Sequence, residues 1–285
     1  MPLDPFQREA LTALYWHRLV ATDQIARLIA PGTPARTVRH KLLALRRSGL
    51  ADRVTREHRP LTWFVTTTGA STVEAARRVD PRPYRIPGPA VVNLLQDHAL
   101  DVVETGLAFV ETARERGHDC GALSWTPEVA HHFQERKSRS RVIADAVLHY
   151  VAEEAGQRSQ RTFFIELDRA TMPVARLAQK LRAYVRYHDY IPTHPTSSGR
   201  PAWRQHYARF PQVLIVLSGA AEHVLDRRLV DLRAHARAMA ESTRIPALAT
   251  TLPRLRRDGL LAEIAVPLHE SDGELVSVLS RARPS

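Results

Sequence analysis

A proline-rich stretch between residues 79 and 92, VDPRPYRIPGPAVV, divides the chain of 285 residues. Proline lacks the amide hydrogen that a helix or a central strand must donate, and its ring fixes φ. Such a stretch neither continues a helix nor lies inside a sheet. We therefore predict two domains, residues 1–78 and residues 93–285, joined by a linker over residues 79–92.

The balance of charge indicates an anionic partner. The chain carries 41 Lys and Arg against 30 Asp and Glu, a formal net charge of +11, which favours nucleic acid. The single cysteine, Cys120, excludes an internal disulfide and a zinc site built from several thiolates. The sequence shows neither a signal-peptide pattern nor an apolar run long enough to span a bilayer, so we expect a cytoplasmic protein.

Apolar residues at helical spacing predict three helices in the first domain. The first starts near Phe6, and the second begins with Thr22 as its N-cap. The third is predicted between Thr33, as its cap, and Gly49, at its end. The next segment, LADRVTREHRPLTWFVTT, alternates as two strands around a basic hairpin.

The third predicted helix is apolar on one side and basic on the other. Val38, Leu42 and Leu45 form the apolar stripe. The basic residues of this helix and of the hairpin that we expect to contact DNA are Arg36, Arg39, His40, Arg46, Arg47, Arg56 and Arg59. Three helices and a basic hairpin resemble a winged helix-turn-helix, whose third helix enters the major groove of double-stranded DNA. The alternative is a small helical domain with a solvated basic face.

The second domain has the pattern of an α/β sandwich. A long amphipathic helix follows the linker, and helices are predicted over residues 173–189 and 221–241. Four segments predict strands: GALSWTPE, SRVIADAVLHYVA, RTFFIELDRA and PQVLIVLSG. A further strand is expected near Ile264. Tyr184 and Tyr187 recur at helical spacing, which packing explains.

Carboxylates interrupt two of these apolar strands. Asp145 interrupts RVIADAVLHYV, and Glu166 and Asp168 interrupt FFIELDR, where alternation places both side chains on the same face. Burying unpaired carboxylates is costly, so they need a divalent cation or basic residues of the next helix as partners. An ion-pair network with residues such as Lys180 is the structural alternative to a catalytic site.

At these residues the sequence resembles the PD-(D/E)xK nuclease superfamily, and more closely the replication-relaxation family of actinobacterial plasmids and mobile elements. The matching segments are DHALDV, ADAVLHY, FFIELDRAT and LAQKLRAYVRYHDY, together with the winged-helix pattern. The resemblance implies Asp145 as the first carboxylate, Glu166 as the second, and Glu104 or Asp101 as an accessory acid.

Asp168 stands where the superfamily pattern has a basic residue, two positions after the second carboxylate. Some members of the superfamily draw the lysine from the following helix instead. By that resemblance Lys180, supported by Gln179, is the candidate that stabilises the transition state of phosphodiester cleavage.

The resemblance implies a protein of plasmid replication or transfer that binds double-stranded DNA and cuts or nicks it. Mg²⁺ or Mn²⁺ is expected at the site, with Asp145, Glu166, Asp168 and Glu104 as the candidate ligands. Its partners would be other replication or transfer proteins, or a second copy of the chain. The alternative function is a non-catalytic replication initiator or transcriptional regulator with a degenerate nuclease fold.

Overall fold

The computed structural model describes most of the chain and divides it into two compact units. The described residues are 3–55, 57, 59–82, 89–135, 138–192, 199–269 and 274–280. The first unit comprises Met1–Val110 and Cys120–Thr126, and the second comprises Glu111–Asp119 and Pro127–Ser285. This division differs from the predicted boundary at residues 79–92.

The reason for the difference is the helix that follows the proline-rich stretch. It begins at Pro89, since a proline is tolerated in the first turn of a helix, where its missing amide hydrogen has no partner to lose. Farther along, the backbone carbonyl of Leu100 accepts a hydrogen bond of 2.9 Å from Gln24 Nε2, within the first unit. Residues 83–88 of the predicted linker lie outside the described residues.

Helices and a small antiparallel sheet form the first unit. In chain order they are α1 (Pro5–His17), β1 (Val20–Ala21), α2 (Thr22–Ile29), α3 (Ala35–Arg47), β2 (Ala51–Val54), β3 (Thr62–Val65), α4 (Thr67–Ala75) and α5 (Pro89–Arg116), whose last residues belong to the second unit. The strand order is β1-β3-β2, and β3 is antiparallel to both neighbours. The three predicted helices and the hairpin are present, whereas α4 was not predicted.

Two helix starts differ from the prediction. Ala21 is the N-cap of α2, so Thr22 is its first helical residue. The Thr22 hydroxyl instead accepts a hydrogen bond of 2.9 Å from Trp63 Nε1, which holds the helix to β3. The N-cap of α3 is Pro34 and not Thr33. Both differences move a helix start by one residue and leave the buried stripe of α3 intact.

The second unit is built on a sheet of seven strands. Its elements in chain order are β4 (Trp125–Glu135), β5 (Ser138–Glu154), β6 (Gln157–Asp168), α6 (Val174–Asp189), β7 (Gln212–Leu217), α7 (Glu222–Arg237), β8 (Ala247–Thr251), α8 (Leu252–Asp258), β9 (Glu263–Pro267) and β10 (Val276–Ser277). The sheet order is β10-β9-β8-β7-β6-β5-β4. The predicted mixed α/β class is confirmed.

The sheet is mixed because its central strands are parallel. β5 and β6 form a long antiparallel hairpin, whereas β6, β7 and β8 run parallel and require crossover connections, which α6 and α7 supply. Apolar residues of both helices pack with the sheet in one core, among them Leu177, Leu181, Leu225, Leu229, Val213 and Ile215. This arrangement places α6 directly against the strand that carries Glu166 and Asp168.

In the described part of the chain, no helix has both the length and the apolar composition needed to cross a membrane.

Candidate active site

The register of the β5–β6 hairpin brings two of the predicted carboxylates together. Ala146 lies opposite Ile165, so the next facing positions are Asp145 and Glu166. Asp145 Oδ2 accepts a hydrogen bond of 2.8 Å from the backbone N–H of Leu167, which fixes its carboxylate against the end of β6. Glu166 is almost fully buried, at 1% exposure. The strand register and the hydrogen bond to Leu167 together set this acid pair.

Helix α6 supplies both partners of the Glu166 carboxylate. Lys180 Nζ donates to Glu166 Oε2 and lies 3.9 Å from Asp145 Oδ2. One turn later, the Tyr184 hydroxyl donates to Glu166 Oε1 at 2.5 Å, since residues four apart share one face of a helix. Tyr184 also stacks on Phe164, so it both packs, as predicted, and orients the acid.

Asp168 has a different partner, which the sequence did not reveal. Arg228 on α7 donates to Asp168 Oδ2 at 2.5 Å and to the carbonyl of Met172 at 2.8 Å. The side chains of Asp168 and Arg228 are 1% and 15% exposed, so this is a buried ion pair. The available signal was a basic residue beside Leu225 and Leu229, within the apolar stripe of α7.

The loops that follow β6 and β7 meet directly beside this ion pair. The backbone N–H of Ser218 donates to the carbonyl of Asp168 at 2.8 Å. Gly219 has a φ of +78°, and a Cβ there would lie 2.7 Å from the carbonyl oxygen of Arg169. Only glycine permits this close approach, which holds the end of β6 in place.

Burial and neighbouring charge shift the proton affinities of the site. Burial, followed by the charge of Asp145, raises the pKa of Glu166 to about 7, against the opposing effects of Lys180 and Tyr184. Burial lowers the pKa of Lys180, but Glu166 and Asp145 together raise it by more, so the net shift is upward. Lys180 therefore stays charged while Glu166 exchanges a proton near neutral pH.

The shifted pKa predicts a pH-dependent difference in stability between the wild type and Glu166→Gln. Because the folded-state pKa of about 7 lies above the ordinary glutamate pKa of 4.5, the folded protein holds an extra proton in that interval. The stabilisation from Glu166 is complete below about pH 4.5 and is lost as the pH rises through 7. Asp145, Asp168 and Lys180 act within this cluster through their charges, and Tyr184 acts through its hydrogen bond to Glu166.

Chemical denaturation in EDTA, carried out at several pH values, measures the difference in the free energy of unfolding between Glu166→Gln and the wild type. From about pH 5 to about pH 8, the stability of Glu166→Gln should rise relative to the wild type by roughly 3 kcal/mol. The comparison cancels the titration of the buried His131 and the half-buried His269, whose pKa values burial lowers to about 4. A stability difference that does not change with pH would contradict a raised pKa.

The remaining predicted site residues are Gln179 on α6 and Glu104 and Asp101 on α5. The Gln179 side chain is exposed on α6 and, in the described part of the chain, donates to none of the predicted carboxylates. Glu104 belongs to the first unit, where it accepts hydrogen bonds from Arg27 at 2.8 Å and from Gln24 at 3.0 Å. Asp101 is half-buried on α5 in the same unit.

The donor chemistry of the acid pair suits a hard divalent cation. Mg²⁺ is commonly held by one or two carboxylates, with water and substrate phosphate completing its shell. Asp145 and Glu166 offer such a pair, whereas Asp168 is bound to Arg228 and Glu104 to Arg27. Within the described ranges, no group of three or more His, Cys, Asp or Glu is arranged to hold a metal. A divalent cation at this site would therefore have two carboxylate ligands from the protein, and not the four that were predicted.

The predicted DNA-binding residues of α3 form an exposed basic face. Val38, Leu42 and Leu45 are fully buried, as the sequence indicates. The exposed basic residues are Arg36, Arg39, His40, Arg46 and Arg47. Arg46 donates to Asp52 at 2.8 Å, so part of its charge is already neutralised within the unit.

Of the two predicted hairpin arginines, Arg59 is within the described residues. Arg59 lies 3.1 Å from Asp97 in an ion pair, and Arg56 lies outside the described residues.

Comparison with known proteins identifies a family. A model of a family described as Replication-relaxation matches residues 11–198, a range that includes Asp145, Glu166, Asp168 and Lys180 but not Arg228. No curated protein matches the chain. The crystal structure of protein VC1899 from Vibrio cholerae is similar over 89% of this chain and 54% of its own, with 10% identity and a TM-score of 0.32. The chain thus spans about half the length of that solved protein.

Proposed function

Because the chain belongs to the replication-relaxation family, we propose that it acts on DNA during the replication or relaxation of plasmid-type DNA. The first unit would bind double-stranded DNA as a winged helix-turn-helix domain. The second would be a PD-(D/E)xK-like domain that cuts or nicks DNA with Mg²⁺ or Mn²⁺. The proposal that the second unit cleaves DNA goes beyond family membership, and it rests on the geometry of the acid pair.

One observation carries the nuclease proposal. Asp145, near the middle of β5, and Glu166, near the end of β6, take facing positions on adjacent strands, and Lys180 Nζ reaches both carboxylates from the following helix. Two acids and a lysine at one point are the groups of the PD-(D/E)xK pattern that the sequence resembles, even though the lysine comes from α6 and not from β6. A salt bridge confined to the surface would not need a glutamate buried to 1% exposure.

Each residue then has a separate task. Asp145 and Glu166 would hold the divalent cation, which when bound polarises a phosphoryl oxygen and lowers the pKa of a bound water. Tyr184 orients the Glu166 carboxylate through its hydrogen bond. The Lys180 side chain is 37% exposed, and its ammonium would donate to a phosphate oxygen as negative charge develops.

The ion pair between Asp168 and Arg228 favours a second candidate function. All the buried acids of β6 have basic partners within the protein, as a structural network would require. The second candidate is therefore a DNA-binding initiator or regulator whose nuclease-like domain does not cut. It predicts DNA binding that is the same in EDTA and in Mg²⁺.

Conversion of supercoiled plasmid separates the two functions. We expect relaxed or linear product in Mg²⁺ or Mn²⁺ and none in EDTA, where DNA binding persists. Intact binding without product in either metal would establish the non-catalytic function.

The proposed DNA-binding face of α3 makes its own prediction. Arg39 is exposed and has no ion pair among the described residues, so Arg39→Ala should weaken duplex binding several-fold and reduce the salt slope by about one. Arg46→Ala is the matched control, because the Arg46 charge is shared with Asp52, and it should have the smaller effect. Fluorescence anisotropy with a labelled duplex over a range of salt concentrations measures both quantities. Equal affinity of Arg39→Ala and the wild type at moderate salt would rule out this face.

A further inference from the structure

A cleft of about 980 Å³ opens in the second unit at the opposite end of β6 from the acid pair. Residues at the start of β6, including Arg161 and Thr162, form one part of its wall. The segment between α6 and β7, from Trp203 to Gln212, forms another part. Thr162 and Glu166 lie on the same strand, so the cleft and the acid pair are roughly 13 Å apart along β6.

The charge of the cleft wall is entirely basic. Four arginines line it, Arg161, Arg204, Arg209 and Arg244, and no lining residue is an aspartate or a glutamate. Arg244 shares its charge with Asp189, at 2.6 Å. Arg204 and Arg209 are exposed, and neither forms an ion pair within the described ranges. The cleft therefore offers positive charge to a ligand at little cost in broken contacts.

Aromatic rings form the floor between these arginines. Trp203 packs edge-on against Phe210, with ring centroids 5.6 Å apart, and stacks with His188 at 5.9 Å. The guanidinium of Arg204 lies 4.6 Å from the Trp203 ring centroid. The half-buried Tyr207, which also lines the cleft, is fixed by a hydrogen bond of 2.7 Å between its hydroxyl and His131 Nε2. Trp203 is buried, at 5% exposure, so the half-buried rings of Tyr207 and Phe210 are the ones that a ligand can contact, and they are held in place before it arrives.

We propose that this cleft binds single-stranded nucleic acid. Arginines that follow a backbone and aromatic rings that contact bases are the two components by which proteins hold single strands without regard to sequence. A double helix buries its base faces by stacking and cannot present them to the rings. An acidic peptide would satisfy the arginines but would leave the aromatic floor without planar groups to cover it.

The proposal goes beyond cleavage, because a strand would bind in this cleft whether or not the acid pair cuts it. It adds an unpaired strand to the ligands of the protein, separate from the duplex assigned to α3. If α3 binds duplex and the cleft binds a single strand, the DNA that suits both units is partly opened.

Binding of labelled oligothymidylate in EDTA tests the proposal. The double variant Arg204→Ala/Arg209→Ala should weaken affinity by about tenfold or more and reduce the salt slope by roughly 1.4. The matched control, Arg227→Ala/Arg237→Ala, removes two exposed arginines of α7 outside the cleft and should stay within about twofold of wild type. Equal losses in the two double variants would overturn the proposal, because the effect would then follow net charge and not the cleft.

Photocrosslinking locates the strand directly. An oligonucleotide that contains 5-iodouracil should crosslink to the peptide that carries Trp203, Tyr207 and Phe210, and crosslinks confined to the first unit would overturn the proposal.

The kind of nucleic acid that binds is a second test. Binding of single-stranded RNA with equal affinity would support a site that holds the backbone and bases of either strand. Duplex DNA that binds more tightly, and loses as much affinity in Arg204→Ala/Arg209→Ala, would overturn it. The binding assay in EDTA does not depend on cleavage, so a failure of cleavage and a failure of this site give different results.

Discussion

Replacement of Arg228 by methionine should lower the free energy of unfolding by about 3–5 kcal/mol. The side chain of Asp168 is 1% exposed, and Arg228 is the ion-pair partner that the structure gives it. Without Arg228, the carboxylate stays buried with an uncompensated charge or must take up a proton. Chemical denaturation followed by fluorescence measures the loss, and Trp203 reports on the second unit, in which it is the only tryptophan.

Two further variants identify the cause of that loss. Arg237→Met removes an exposed arginine from the same helix and should change stability by no more than about 0.5 kcal/mol. The double variant Asp168→Leu/Arg228→Met removes both charges and should recover most of the loss. A cost below about 1 kcal/mol for Arg228→Met would contradict a structural ion pair and would return Asp168 to the set of metal ligands.

Glu166→Gln should lower metal-dependent plasmid cleavage at least roughly 100-fold. The amide keeps the shape of the side chain but removes the negative charge that a divalent cation needs. At about pH 8 the stability of the variant relative to the wild type is at its highest, because the variant avoids the burial of a charge, and thermal unfolding checks that both proteins are folded in the assay. The loss of activity would therefore reflect the missing carboxylate and not unfolding. Supercoiled plasmid, incubated with equal concentrations of the two proteins, gives the rates.

The control for this experiment is the same chemical change at an exposed position. Glu154 lies at the end of β5 and is exposed, so Glu154→Gln should cleave at the wild-type rate. Duplex affinity, measured in EDTA, should be equal in all three proteins. Cleavage by Glu166→Gln at the wild-type rate would place the active site elsewhere, and a loss of DNA binding with it would make Glu166 a structural residue.

Local sequence patterns predicted most of the elements that build the candidate site. Alternation along FFIELDR placed Glu166 and Asp168 on one face, and the structure buries both. The apolar stripe of α3 is buried as expected, because its spacing matches the helical repeat. The predicted N-cap of α3, Thr33, was wrong by one residue, because neighbouring residues compete for the cap position.

The partners of the carboxylates could not be predicted in the same way. Glu166 is paired with Lys180 as anticipated, because only a short loop separates β6 from α6. Asp168, two residues away on the same face, is paired with Arg228 on a helix that comes after a further strand. Glu104 was expected near the metal, and its partners are Gln24 and Arg27 in the first unit.

The sequence by itself thus determined the direction in which each side chain points and the elements that carry it. Strand alternation and helical periodicity are properties of a few consecutive residues, so they need no knowledge of the rest of the chain. The net charge, also a property of the sequence, indicated an anionic partner.

Only the tertiary structure decided which charges meet. The contact between Asp168 and Arg228 depends on the order of β6 and β7 in the sheet and on the packing of α7 above them. The basic aromatic cleft likewise combines the start of β6 with a segment some forty residues later. A buried charge requires a partner whatever the fold, but the fold selects the partner, because ion pairs form through space and carry no fixed spacing in sequence.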